Sequence, residues 1–111
     1  MKKSILFTCF LFLVSVTSLE ASVYKGHRLF KVKCLKCHGK ALDFVISKSS
    51  FEWEELMKQN GKFIRSEHLE REEAKDAVEY FNSDRYPLHV KHYRDFFLEY
   101  ASDTGNIPAC D

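Results

Sequence analysis

A second C-x-x-C pair is missing from this sequence, and so is any H-x-x-x-H spacing. A structural zinc site needs four protein ligands, and a catalytic one needs three and a water, so half of such a site is absent. The βαβ pattern expected beside a thioredoxin-like dithiol is missing too. Neither charge sign is in excess. Of the 17 basic and 16 acidic residues, two lysines and one glutamate fall in the first 21 positions, which leaves 15 of each sign. That balance argues against a nucleic-acid partner. The apolar run at residues 5–14 is shorter than the ~20 residues that span a bilayer comfortably. There is no internal repeat, no low-complexity segment and no acid–base or nucleophile constellation for an independent catalytic site.

The N-terminal stretch has the form of a leader. Lys2 and Lys3 precede the apolar run, and small residues in 15–22 offer cleavage after Ala21 or Ser22. The expectation is a secretory signal peptide over 1–21, a single domain over 22–111, and a periplasmic location with no stable membrane span after cleavage. Cys9 follows Thr8 inside the apolar run and is discarded with the leader. The remaining 90 residues bury only about 60–65% of their unfolded surface, so a bound cofactor would add materially to the core.

Cys34-Leu35-Lys36-Cys37-His38 is the most specific feature. C-x-x-C-H is the attachment signature of c-type haem: two thiols can add to the vinyl groups of one porphyrin, and the next histidine can bind its iron. Attachment takes place outside the cytoplasm, where a signal peptide would deliver the chain. One haem c is therefore expected, with Cys34 and Cys37 as thioethers and His38 as proximal ligand.

Residues 23–35 read as a helix entering the motif, with Val23, Phe30 and Cys34 on one face and Leu29 beside them. Gly26, Phe30, Cys34, Cys37, His38 and Gly39 stand in the spacing G-x-x-x-F-x-x-x-C-x-x-C-H-G. Over residues 26–39 the chain resembles the class I cytochromes c; elsewhere the likeness is loose. The resemblance implies an all-α fold of about four helices around one covalent haem, with Gly26 and Phe30 crossing the last helix. The family's proline after the motif is absent, since only Pro87 and Pro108 occur, so another carbonyl is needed to orient His38.

Beyond the motif, residues 40–48 read as a loop or short turn covering one haem face, and Ser49 or Ser50 can cap a helix through Gln59 that carries Trp53 and Met57. A third helix is expected over 68–81, with Ala74, Ala77, Val78 and Phe81 as its stripe. A turn follows over 82–87. The last helix is expected over 88–101, with an aromatic core face from Tyr93, Phe96, Phe97 and Tyr100, and 102–111 is a tail.

The sixth iron ligand stays open. The methionine that class I members place before the last helix is missing, and Met57 sits on a helix, where a core role suits it better. His68, after Gly61-Lys62-Phe63-Ile64, and His89, which shares a face with Tyr93 and Phe96, are the two leading candidates. Met57, His92 and an open iron are the others, while His27, on the same helix as the motif, would have difficulty reaching the opposite face. Cys110 can stay free, pair between chains, ligate iron or carry sulfur chemistry.

Lys25, Arg28, Lys31, Lys33, Lys36 and Lys40 form a run without an acidic residue before Asp43. It is either a solvated face or a surface that steers the domain toward acidic redox proteins. The functional expectation is a non-enzymatic carrier of single electrons. The competing one is an enzyme-associated or ligand-binding haem protein with an open or weakly capped iron.

Overall fold

The computed structural model describes the backbone of residues 2–108 and the side chains of residues 18–108. Cys110 and the end of the tail lie outside the described residues. Within them every regular element is helical: α1 (Lys2–Lys33), α2 (Leu35–His38), α3 (Ala41–Val45), α4 (Ser50–Leu56), α5 (Lys58–Glu70), a 3₁₀ segment (Glu72–Ala77), α6 (Val78–Asn82) and α7 (Arg85–Glu99). The chain is thus all-α, but more finely divided than the four helices expected. Among the described residues no helix is long and apolar enough to cross a membrane.

The crossing of α1 with α7 is the main contact of the fold. Gly26 makes it possible, because a Cβ there would overlap the backbone carbonyl of His92 and the Cβ of Phe96. One turn later Phe30, fully buried, meets Phe96, Phe97 and Phe44 at ring-centroid distances of 6.2, 6.5 and 4.9 Å. Among the described side chains of α1, burial begins at Ser22 and Val23, whereas residues 18–21 are exposed. Ser22 Oγ donates to Asp95 Oδ2 at 2.6 Å and bonds His92 Nδ1 at 2.8 Å.

The connecting elements depart from the expected boundaries. Residues 40–48 are not simply a loop, since 41–45 form a short helix whose Ala41 and Val45 are buried. A reciprocal capping box of Ser49 and Glu52 starts α4. Gln59, Asn60 and Gly61 then adopt left-handed backbone angles. Gly61 suits this bend on two counts: its φ is +71°, and an added Cβ would strike the Tyr86 hydroxyl. That hydroxyl donates to the Gly61 carbonyl at 2.7 Å.

No continuous helix spans 68–81. It breaks at Arg71, whose ψ of 129° is extended, and resumes as the 3₁₀ segment. His68 therefore belongs to the last turns of α5 rather than to the start of a new helix. The last helix begins at Arg85, ahead of the expected 88, because Pro87 falls in its first turn, where no intrahelical N–H is required.

Candidate functional site

A cavity of about 440 Å³ is walled chiefly by apolar and aromatic side chains, among them Phe44, Trp53, Phe63, Phe81, Tyr86 and Phe97. Its volume lies within the 300–1,000 Å³ range of sites that take a small molecule or cofactor. Trp53 is fixed in that wall: it is 2% exposed, and its Nε1–H donates to the Val45 carbonyl at 2.9 Å. Trp53 is thus both core and cavity wall.

Four of the residues singled out from the sequence line this one cavity: Cys34, His38, Met57 and His68. The turn of α2 brings Cys34 and His38 together, with the His38 N–H donating to the Cys34 carbonyl at 2.9 Å. His38 is solvent-accessible on one side and packs edge-on to Phe44, ring centroids 5.0 Å apart. That ring contact orients it; among the described residues no carbonyl does. Its other neighbour is His68, 5.9 Å away between ring centroids, with the planes at 62°. Burial, reinforced by His68, holds the His38 imidazole below the ordinary histidine range and therefore neutral near pH 7.

His68 is held in one orientation. It stacks on Phe81 at 4.1 Å, and its Nδ1 lies 2.7 Å from the Ile64 carbonyl. A carbonyl only accepts, so Nδ1 carries the hydrogen of that bond, which leaves Nε2 as the ring nitrogen open to a ligand. Such an outer hydrogen bond is the usual way a ligating imidazole is fixed. Met57 is 4% exposed in the same lining.

His89 is not in this lining. Its Nδ1 meets the Tyr80 hydroxyl at 2.8 Å, and that hydroxyl meets Tyr93 Oη at 2.6 Å. His92 is bonded to Ser22, and His27 stacks on Phe96 at 4.8 Å. The two motif thiols also differ. Cys34 is half-buried, and burial pushes its thiol up to about 12. Cys37 is exposed and lines a second depression with Lys33, Lys36 and Arg85. Tyr80 is the residue shared by both linings.

None of the six cations of the basic run is in an ion pair among the described residues. Lys33 instead sits 4.9 Å over the Tyr80 ring, and Arg28 sits 5.9 Å over Tyr24. No group of three or more His, Cys, Asp or Glu gathers as a metal cage among the described residues.

Sequence reasoning missed Phe44 and Tyr80 as walls. Phe44 lies in the stretch that reads as a loop or short turn, and Tyr80 is off the stripe of a continuous helix over 68–81; the 3₁₀ segment changes that phase. No family model, curated relative or solved structure matches this chain.

Proposed function

We propose that the chain is a periplasmic monohaem c-type cytochrome that carries single electrons between larger redox proteins, delivered there by a signal peptide over residues 1–21. The observation that carries this is the shared cavity: an aromatic-walled space faced by Cys34, His38 and His68, beside a C-x-x-C-H motif. Imidazole nitrogens bind first-row metals at about 2 Å, so two rings that share one ion have centres within roughly 6 Å of each other. The 5.9 Å between His38 and His68 fits that spacing. A flat apolar macrocycle also suits the walls, which offer aromatic faces and few polar groups.

In this reading Cys34 and Cys37 would hold the porphyrin covalently, and His38 and His68 would ligate its iron. His68 is the distal candidate this reading favours, because it lines the cavity with His38, whereas His89 lies outside that lining. When bound, the haem iron supplies a reversible one-electron site. The protein's part is to keep that site rigid and dry. Phe81 and the Ile64 carbonyl hold His68 still, so little would have to move on electron transfer. Phe44, Trp53 and Phe97 exclude water, which together with ligand identity sets the potential. The unpaired cations at Lys25, Arg28, Lys31, Lys33, Lys36 and Lys40 would steer an acidic partner toward the attachment edge.

Absorption and EPR spectra of the purified protein in both redox states, with and without carbon monoxide, test this. Low-spin iron indifferent to carbon monoxide is expected in the native protein and in His89→Ala, and a carbon-monoxide-sensitive iron in His68→Ala. Rapid carbon monoxide uptake by the native protein would instead point to the open-iron alternative, a ligand-binding or enzyme-associated haem protein.

A further inference from the structure

Exposure along α1 changes at one peptide bond. Residues 18–21 make a full turn without a buried side chain, whereas Ser22, Gly26 and Phe30 form a buried stripe at a spacing of four. Ser22 is 6% exposed and is tied twice to α7. Its hydroxyl donates to Asp95 Oδ2 at 2.6 Å and lies 2.8 Å from His92 Nδ1. The hydroxyl hydrogen is spent on the carboxylate, so the imidazole donates in the second bond. The domain buries position 22 and leaves the turn before it outside.

Asp95 suits a helix start better than a helix interior. Position 22 lies inside the 32 residues of α1, where the peptide groups are already paired along the helix. At the first turn of a helix the same carboxylate would face free N–H groups and the positive end of the dipole, both of which it stabilises. Cleavage ahead of Ser22 turns the first situation into the second, and serine is a preferred residue at that position. The new amino group would also be close. Within one serine the nitrogen lies roughly 3–4 Å from Oγ. It therefore falls within about 6 Å of Asp95 Oδ2, a range in which opposite charges favour each other's ionised forms. The nearby Arg94 is held by Glu54 at 2.6 Å and stands 3.7 Å from the other Asp95 oxygen.

We propose that leader processing falls between Ala21 and Ser22 and that the freed Ser22 ammonium pairs with Asp95, fixing the mature amino terminus on α7. The inference rests on the export reading given above and deepens it. Processing is hydrolysis by a leader peptidase. Water adds across the Ala21–Ser22 bond as its C–N bond breaks; the oxygen stays on Ala21 as a carboxylate, and the nitrogen leaves on Ser22 as an ammonium. No oxidant or reductant is consumed. One residue then serves as cleavage product, helix start and interhelical tie, a turn ahead of the close approach at Gly26.

Amino-terminal sequencing and intact mass of the exported protein read the first half of the proposal. A chain that starts at Ser22 is expected, and any other start overturns it. An uncleaved chain overturns it together with the leader, while haem content, read from the same mass, judges the cytochrome reading separately. Periodate reads the second half, because it splits an amino-terminal serine between Cα and Cβ through the uncharged amine. At pH 7 the folded native protein is expected to react about tenfold or more slowly than the same protein in urea, since a nearby carboxylate holds the amine charged. Asp95→Asn is expected to remove most of that difference. Asp103→Asn, whose carboxylate serves Ser50 instead, is expected to keep it. Equal rates in the folded and unfolded native protein, or full protection in Asp95→Asn, overturn the proposal even where the chain starts at Ser22. Should Asp95→Asn fold poorly, the folded-to-urea ratio of the native protein decides alone.

Discussion

The two sides of α7 are built differently. Toward α1 the packing is closed: Gly26 lets the backbones touch, and Phe30 and Phe96 are fully buried. Toward α4, α5 and α6 the same helix presents Tyr86, Tyr93 and Phe97 to a cavity. One face behaves as a core complete in itself, the other as a mould. Aromatic side chains bury large areas when they find partners, and the proposed haem would supply such a partner to the set held around this space.

That contrast can be broken most forcefully at the closed side. Phe30→Ala removes a fully buried ring from the crossing and is expected to cost about 3–5 kcal/mol, read as a lowered urea midpoint. Such a loss is comparable to the whole stability of a small domain. Gly26→Ala forces α1 away from the His92 carbonyl; overpacking of this kind costs roughly 1–3 kcal/mol. No change in midpoint in either variant would mean that the α1–α7 crossing is not the structural centre.

Cofactor removal sharpens the comparison from the other side. A chain made without haem is expected to lose hydrogen-exchange protection first in α4, α5 and α6, with α1 and α7 protected longest. Uniform loss across all helices would contradict a division into closed core and mould. Ser49→Ala removes the side-chain half of the box that starts α4 and should cost about 1 kcal/mol.

The smallest effect concerns pH. Burial, aided by nearby cations, lowers the pKa of His92 below the ordinary 6.5. The unfolded chain then takes up a proton before the folded one as pH falls through 6.5. Stability is therefore full above that pH and declines below it, toward the folded-state value. The urea midpoint should drop between pH 7.5 and 5, and His92→Gln should flatten that part of the profile. An equal decline in the variant would assign the effect elsewhere.

Much of this was legible in the chain, for physical reasons. The α1–α7 crossing is long-range and is expected only through the resemblance over residues 26–39; what is local there is the spacing of four that sets Gly26, Phe30 and Cys34 on one face. The Ser49–Glu52 box is equally local. The cavity is not local. Phe44, Tyr80 and Tyr86 reach it from three separate elements, and the left-handed bend at Gln59 to Gly61 and the 3₁₀ segment shift the faces that periodicity alone would predict. Choosing between His68 and His89 depended on the same shifts, because both stand at helical positions compatible with an inward face. What separates them is tertiary: the Ile64 carbonyl and Phe81 fix His68 beside His38, whereas Tyr80 draws His89 aside.

The most direct measurement is whether colour stays with the polypeptide under denaturing, acidified-solvent extraction after expression with a haem-ligation system. A haem band that survives extraction and disappears in a Cys34→Ser, Cys37→Ser double variant is the predicted result. A colourless native chain, or pigment that extracts freely, would contradict covalent attachment at this motif.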